Sequence, residues 1–402
     1  MHGHVSWNAM MSSLSLKSKV ILLMASSLTV MSVSAISPAL PKIADAFKSI
    51  ENAEFLVKLM LTIPSLIIAI FAPIAGLIID KGHRKMLLII SLMLYGLMGT
   101  TGLYLESLHH FIITRAILGL GVAGIMTSAQ TLIADYYEGE ERNNMLGLQG
   151  TFISFGGVVF VALAGFLATA SWRYPFSLYG LALILTLPAY LYIQEPTIQK
   201  EIHSDALHED DSKRSGTTYI QIAGIGLIVF LGMVFFYAIP TQLPFLLASL
   251  GIDSPAKAGA VVSLATLAGG FSSYSMPYLK RRYHFSSLGG RAFTLLAIGF
   301  LGLSISSTFM ITIFFALFAG AGIGLLMPSM RLWVITIASM PQRGRSVGVI
   351  TSSLYLGQFL SPVLSQPIVS VHSITILYTI IGCVSLIMAL FLLNTAHKIT
   401  QS

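Results

Sequence analysis

Long apolar blocks recur along the whole chain, and they constrain its fold more than any other feature. The first block, residues 20–40, contains no charged side chain. A helix needs about 20 mainly apolar residues to cross a bilayer. Twelve such blocks predict twelve membrane-spanning helices: 20–40, 56–79, 86–105, 109–134, 145–169, 173–194, 218–249, 256–279, 289–309, 311–338, 344–369 and 373–394.

The charge content excludes a water-soluble body of this size. Only 10% of the 402 residues are charged, whereas soluble domains average about 25%. The net charge of +7 comes from basic residues in short segments between the blocks. Membrane topology explains this pattern better than nucleic-acid binding does. A single cysteine, Cys383, excludes an intramolecular disulfide framework and a cysteine metal site.

One polar segment, residues 195–217, divides the chain. It is rich in charged residues and has few apolar ones, so it is predicted to be a solvated linker. The predicted domains are therefore a first six-helix bundle at 1–194 and a second at 218–402.

The two halves resemble each other at an offset close to half the chain length. Gly119 corresponds to Gly320, and Gly156 corresponds to Gly357, both at an offset of 201. The Ala35–Pro41 segment corresponds to Ala238–Pro244 at an offset of 203. Together these matches predict an all-α integral membrane fold of two parallel-repeat six-helix bundles. Because the first block has a partner inside the chain, it is interpreted as a retained span rather than a signal peptide.

The distribution of Lys and Arg predicts the orientation. With a cytoplasmic N-terminus, 16 of the 23 basic residues lie on the cytoplasmic side and five lie opposite, among them Lys58. This asymmetry places both termini in the cytoplasm. The remaining two, Arg115 and Arg331, fall inside predicted spans.

The segment after the second block reads GLIIDKGHRK over residues 76–85. It resembles the signature loop of the major facilitator superfamily, Gly-x-Leu-Ala-Asp-Arg-x-Gly-Arg-Arg. Gly76, Asp80, Arg84 and Lys85 occupy its defining positions, whereas His83 replaces a glycine. The resemblance implies that these four residues form a conformational gate on the cytoplasmic side.

The fourth block carries a second resemblance. Its Arg115-Ala-Ile-Leu-Gly119-Leu-Gly121 run is similar to the family pattern Arg-x-x-Gln-Gly-x-Gly. The resemblance implies that Arg115 takes part in coupling to protons. The alternative is that Arg115, close to the periplasmic end of its span, extends its side chain to the interface.

Within this family the chain most resembles the twelve-helix drug–proton antiporters (the multidrug efflux group), but two features depart from their pattern. Phe160 and Val161 stand where those antiporters carry Gly-Pro in the fifth span. All 16 acidic residues lie in loops or at span ends, so coupling to protons is implied by the resemblance rather than by a visible carboxylate.

In this family the first, fourth, seventh and tenth spans face a central cavity. Their polar residues give the substrate-binding candidates Gln130, Tyr237, Gln242 and Arg331. Arg331 lies about 12 Å from the cytoplasmic end of its span. Intramembrane arginines without a buried anion favour a substrate that brings its own negative charge.

The resemblance implies a proton-coupled exporter of a small amphipathic molecule, which works as a monomer in the bacterial inner membrane without a cofactor or metal. The alternative is a carrier of an organic anion, such as a metabolite or carboxylate siderophore, in either direction. An enzyme is disfavoured because no set of catalytic side chains falls within the spans. A sensor or scaffold of this fold would usually carry a sizeable soluble output domain, and the sequence has none.

Overall fold

Twelve long helices make up the protein in a computed structural model that describes residues 16–80, 82–196, 212–339 and 343–401. They are α1 Leu16–Ala46, α2 Ala53–Asp80, α3 Arg84–Thr100, α4 Leu108–Tyr136, α5 Gly139–Ala170, α6 Gly180–Tyr192, α7 Ser212–Ser249, α8 Pro255–Lys280, α9 Phe285–Ser304, α10 Phe309–Ile337, α11 Arg343–Val371 and α12 Ile374–Gln401. Short 3-10 turns interrupt α1 at Ser37–Ala39 and precede α6 at Tyr174–Tyr179. The described ranges contain no β-strand.

One face of the bundle contains the start of α1, the end of α6 and the start of α7. We call it the linker side, because residues 193–211 connect α6 to α7 there. The opposite face, with the turn between α1 and α2, is the far side. Each predicted span corresponds to one helix, and most helices extend a few residues beyond the predicted bounds. Polar residues at the ends of several apolar blocks stay helical, as at 139–144 in α5 and 212–217 in α7.

Eleven of the described helices are long and apolar enough to cross a membrane. The twelfth, α8, is more polar because Gly, Ala and Ser fill much of its length. These small residues allow close packing: a Cβ on Gly259 would lie 2.9 Å from the carbonyl oxygen of Val161 in α5. Small residues at helix interfaces are typical of membrane bundles. The low hydropathy of α8 therefore reflects its position between neighbouring helices.

Glycine contacts repeat the sequence match between the halves. A Cβ on Gly119 of α4 would lie 2.9 Å from the carbonyl oxygen of Pro64 in α2. Gly320 of α10 lies against Ala265 of α8 in the same way, and both members of this pair are displaced by 201 residues. The structure thus confirms the parallel repeat and fixes its register.

Each half has its own apolar core. One cluster of buried side chains runs from Ile21 to Ile193, and a second from Ile222 to Leu392 also takes in Val161 of α5. The halves meet mainly along two helix pairs, α2 with α11 and α5 with α8. The repeat relates these two interfaces, because α2 corresponds to α8 and α5 corresponds to α11.

The halves are in contact on the far side and separated on the linker side. On the far side, the hydroxyl of Ser37 donates to the carbonyl oxygen of Pro240 at 2.6 Å, so that α1 is bonded to α7. Toward the linker side, α5 and α8 border a cleft of about 620 Å³, lined by residues that include Gly147, Phe155 and Tyr274. The described halves are therefore bonded to each other on the far side, and α5 and α8 leave a cleft between them toward the linker side.

Candidate functional site

A cavity of about 140 Å³ lies between the two halves. Ser26 is ten residues from the start of α1, so the cavity lies about 15 Å from the linker side and close to the middle of the bundle. The lining residues come from α1, α4, α5, α7 and α11, and α2 adds Ile68. The lining residues are Ser26, Thr29, Val30, Ile68, Met126, Gln130, Gln149, Ile153, Tyr237, Tyr355 and Gln358.

Internal hydrogen bonds orient the polar groups of this cavity. The side-chain amide of Gln149 donates to the hydroxyl of Ser26 at 2.8 Å. The side-chain oxygen of Gln358 accepts from the hydroxyl of Ser65 at 2.8 Å. None of the described lining residues is charged. The cavity thus offers neutral donors and acceptors in an apolar surround, which suits a ligand that combines both characters.

One contact crosses the cavity from half to half. The hydroxyl of Tyr355 in α11 lies 2.8 Å from the sulfur of Met126 in α4. Methionine adapts its shape readily, so this contact can open without breaking a strong bond.

The structure divides the predicted binding residues into two groups. Gln130 and Tyr237 line the cavity. Gln242 lies outside it, fully buried nearer the far side, and Arg331 is an exposed residue of α10 that is not among the lining residues. The sequence prediction considered polar residues of the first, fourth, seventh and tenth spans. It therefore did not include Gln149 of α5 and Gln358 of α11. A glutamine within an apolar block, at 149 in the block 145–169 and at 358 in the block 344–369, is the signal that identifies them.

Arg115 is buried in the first half rather than extended to the interface. Its side chain is 1% exposed, and its guanidinium carbon lies 4.9 Å from the ring centre of Phe176 and 4.5 Å from that of Tyr179. Within the described ranges, its two terminal nitrogens have no hydrogen-bond partner. Cation–π attraction to two rings is the main stabilising contact of this charge.

The rings around Arg115 connect it to α1. The hydroxyl of Tyr179 lies 3.3 Å from the carbonyl oxygens of both Met31 and Ser32, one turn from the cavity residue Thr29. Tyr179 thus links Arg115 to the backbone of α1 close to the cavity.

The signature loop is held within the first half. The guanidinium of Arg84 forms an ion pair at 2.8 Å with Asp135 at the end of α4, and Lys85 lies over the ring of Tyr190 at 5.1 Å. A Cβ on Gly76 would have open space around it. The side chain of Asp80 and all of Lys81 lie outside the described residues.

A carboxylate from the end of α6 caps α3. The backbone N–H groups of Arg84 and Lys85 donate to Glu195 at 2.7 and 2.9 Å. The first N–H groups of a helix have no partner within the helix, and a negative charge there is favourable. This bond also ties the loop to the start of the segment that joins the halves.

Replacing Glu195 with alanine should lower the free energy of unfolding by about 1–2 kcal/mol, the usual cost of losing such a cap. Thermal unfolding of the purified protein in detergent measures this effect. Asp253 to alanine is the matched control, because Asp253 is an exposed carboxylate in the turn before α8. An equal change in both variants would contradict the capping role.

A second buried cation is Lys58 of α2, which the sequence analysis counts among the five basic residues on the side opposite the cytoplasm. Its side chain is 0% exposed and bonds to Glu54 of α2, Gln242 of α7 and Gln366 of α11. Sequence reasoning missed this cluster because its members are far apart in the chain. Within the described ranges, no group of three or more metal-ligating side chains occurs.

Comparison with known proteins agrees with this architecture. Over 376 residues the chain is 27% identical to the bacillibactin exporter of Bacillus subtilis, covering 88% of this chain and 90% of that protein. It is 22% identical to the quinolone resistance protein NorA of Staphylococcus aureus, over 82% of this chain and 84% of that protein.

Solved structures show the same fold. A D-xylose–proton symporter superposes with a TM-score of 0.76 at 18% identity, covering 94% of this chain and 97% of that one. A bacterial homologue of the human lysosomal transporter Spinster, in an inward-facing and occupied conformation, gives 0.71 at 15% identity, with 94% of each chain covered. Residues 22–303 match the family model of the Major Facilitator Superfamily. The chain is therefore a membrane transporter that belongs to the major facilitator superfamily.

Proposed function

We propose that this protein exports small amphipathic molecules by alternating access, driven by the proton gradient. The observation that carries the proposal is the neutral polar cavity between two repeated halves, which are bonded to each other on the far side and leave a cleft between α5 and α8 toward the linker side. A substrate that enters from the linker side is released on the far side once the halves rock.

The relatives support export as the direction. One full-length relative is named as an exporter and another as a drug-resistance protein. Both cover most of their own length in the match, so the likeness extends over both halves.

The cavity suggests the size and chemistry of the substrate. Sites for drug-sized ligands usually occupy about 300–1,000 Å³, which exceeds the 140 Å³ available here. Binding therefore requires the cavity to widen, and separation of Tyr355 from Met126 is the simplest way. The amide groups of Gln130, Gln149 and Gln358 would hydrogen-bond the polar part of the substrate.

The basic residues support an orientation. The linker side carries most of the Lys and Arg residues, so it is assigned to the cytoplasm. Both termini then lie in the cytoplasm of a monomer in the inner membrane, and the far side is periplasmic.

Arg115 is the proposed coupling residue, and Gly76, Asp80, Arg84 and Lys85 form the proposed cytoplasmic gate. The burial of Arg115 and its link through Tyr179 to α1 support the first assignment. The ion pair of Arg84 with Asp135 supports the second, because it fixes the loop against α4.

An organic anion is the alternative substrate, and one observation favours it. Arg331 is exposed on α10 at the position that corresponds to the cavity residue Gln130 through the 201 offset. If Arg331 faces the route to the cavity, it would attract carboxylates.

Arg331 to alanine distinguishes the two substrate classes. For an anion carrier, uptake of organic anions should fall by at least about tenfold, the effect of losing one charge-assisted contact, and transport of a cationic drug should not change. Transport assays of both compounds in the same vesicles measure this. Equal losses for both would assign Arg331 a structural role.

The function itself is tested with purified protein in proteoliposomes. A panel of cationic drugs, neutral drugs and organic anions is offered with an imposed proton gradient of either polarity and without one. Drug movement that depends on the gradient supports the proposal. Movement of anions alone favours the anion carrier. Movement of no compound under any of these conditions contradicts both proposals.

A further inference from the structure

Lys58 is a fully buried cation whose bonding requires both halves of the protein. Its ammonium donates to the carboxylate of Glu54, to the side-chain oxygen of Gln242 at 2.7 Å and to that of Gln366 at 2.9 Å. A lysine ammonium has three N–H donors, so each of them has an acceptor. The nitrogen also lies 4.4 Å from the ring centre of Phe245 in α7.

The acceptors differ in what happens when the halves move. Glu54 is one helical turn before Lys58 on α2, so this ion pair moves as a unit, and the Glu54 side chain is 42% exposed. Gln242 and Gln366 belong to α7 and α11 of the other half. Opening the far side therefore breaks the two hydrogen bonds from Lys58 to the glutamine side chains and keeps the ion pair with Glu54. A buried cation or amide without a partner is costly, so closure and these bonds form together.

A further bond holds the cluster in the second half. The side-chain amide of Gln242 donates to the hydroxyl of Ser365 at 3.0 Å, which fixes the orientation of Gln242 between α7 and α11. The carboxamide oxygen of Gln242 is thereby set toward Lys58 by a contact within the second half.

The repeat places a different pair at the matching interface. Through the 201 offset, Lys58 corresponds to Gly259 of α8, and Gln366 corresponds to Gly165 of α5. These glycines are also in contact, since a Cβ on Gly259 would lie 3.0 Å from the Cα of Gly165. One interface thus has a charged, hydrogen-bonded pair where the other has a close contact of two backbones.

We propose that Lys58, Gln242 and Gln366 form a latch that holds the far side shut. The latch is present at only one of the two interfaces between the halves, and its strength sets the balance between the state closed at the far side and the state open there. Lys58 is a positioning residue in this role, because it acts on the helices and touches no substrate. At the other interface between the halves, the glycine contact of α5 with α8 closes the far side by packing alone. This inference rests on the alternating access proposed above, which it deepens.

Distances between spin labels test the latch in purified full-length protein with Cys383 changed to serine. Labels at Glu51 and His372 report the far side between α2 and α11, and labels at His83 and Arg345 report the linker side. All four residues are exposed in turns or at helix ends. The measurement needs no substrate, so its result is independent of which compound the protein transports.

In Lys58→Met the far side should open: the ratio of long to short far-side distances should rise about tenfold, the change expected when buried amides lose their partner. The linker-side distances should shorten at the same time. Lys48→Met is the matched control, because Lys48 is an exposed far-side lysine that pairs only with Asp45 among the described residues, at 3.9 Å. It should leave both distributions unchanged.

Gln366→Glu provides the opposite test, since a carboxylate beside Lys58 should strengthen the latch and shift the population toward the closed far side. Opposite shifts in Lys58→Met and Gln366→Glu, with none in Lys48→Met, support the latch. A Lys58→Met distribution equal to that of the unaltered protein, or a Gln366→Glu shift in the same direction as Lys58→Met, overturns it. If these shifts appear but no compound is transported, the latch stands and the proposed function fails.

Discussion

Gradient-driven transport should fall at least about 100-fold when Arg115 is replaced with alanine, a loss typical of removing one essential charge. The guanidinium is the buried charge between Phe176 and Tyr179, and Tyr179 connects it to α1 beside the cavity. Its loss removes the charge and also the side-chain packing against both rings, so folding is checked separately. Initial rates in proteoliposomes measure the effect, and protein yield and thermal unfolding monitor folding.

Arg173→Ala is the matched control for Arg115. Arg173 also lies over an aromatic ring, at 4.3 Å from Trp172, and donates to the carbonyl oxygen of Leu105 at 2.7 Å. It belongs to the same aromatic region but is only partly buried. Transport by Arg173→Ala should stay within about threefold of that of the unaltered protein, the scale of a peripheral contact. Equal losses in both variants would show that Arg115 is structural.

Filling the central cavity should have an effect of similar size. Gln130→Trp places a large ring in a cavity of 140 Å³, so substrate affinity should fall at least about 100-fold, because the substrate and the ring compete for one volume. Equilibrium binding of a transported compound measures this. Because Gln130 is exposed to the cavity, the substitution needs no repacking of a core.

Leu187→Trp is the control for the cavity variant. Leu187 of α6 is 63% exposed on the outside of the bundle, so tryptophan there should leave binding unchanged. Unaltered affinity in Gln130→Trp would exclude this cavity as the binding site.

The sequence predicts the spans and the repeat because both depend on local properties. Apolar length identifies a helix in a membrane, and the recurring glycines correspond to the close crossings of Gly119 with Pro64 and of Gly320 with Ala265. Even α8, the described helix that falls short of the apolar length of the other eleven, is predicted as the block 256–279, and it is the counterpart of α2 in the repeat.

The positions of charges near span ends could not be predicted in the same way. Lys58 lies at the border of its apolar block, and a border residue is ordinarily assigned to water. In the structure it is buried by residues 184 and 308 positions away along the chain. Arg115 is similar, because the turn at Tyr174–Tyr179 covers it from a distant part of the sequence. Three-dimensional contacts, rather than local hydropathy, decide whether such a charge reaches the interface.

The candidate site was predicted in part for a related reason. Gln130 and Tyr237 belong to the helices expected to face the cavity, and they do line it. Gln242 belongs to one of those helices as well, but it is closer to the far side and bonds to Lys58. The depth of a residue along its helix therefore matters as much as the helix that carries it.

Proton movement driven by substrate alone is the most direct test of the proposed function. Vesicles are loaded with a transported compound and a pH-sensitive dye and diluted into compound-free buffer at the same pH and zero membrane potential. The account predicts that exit of the compound acidifies the lumen, because protons enter in exchange, and that Arg115→Ala abolishes this change. Exit of the compound without acidification, or with alkalinisation, would contradict proton-driven export.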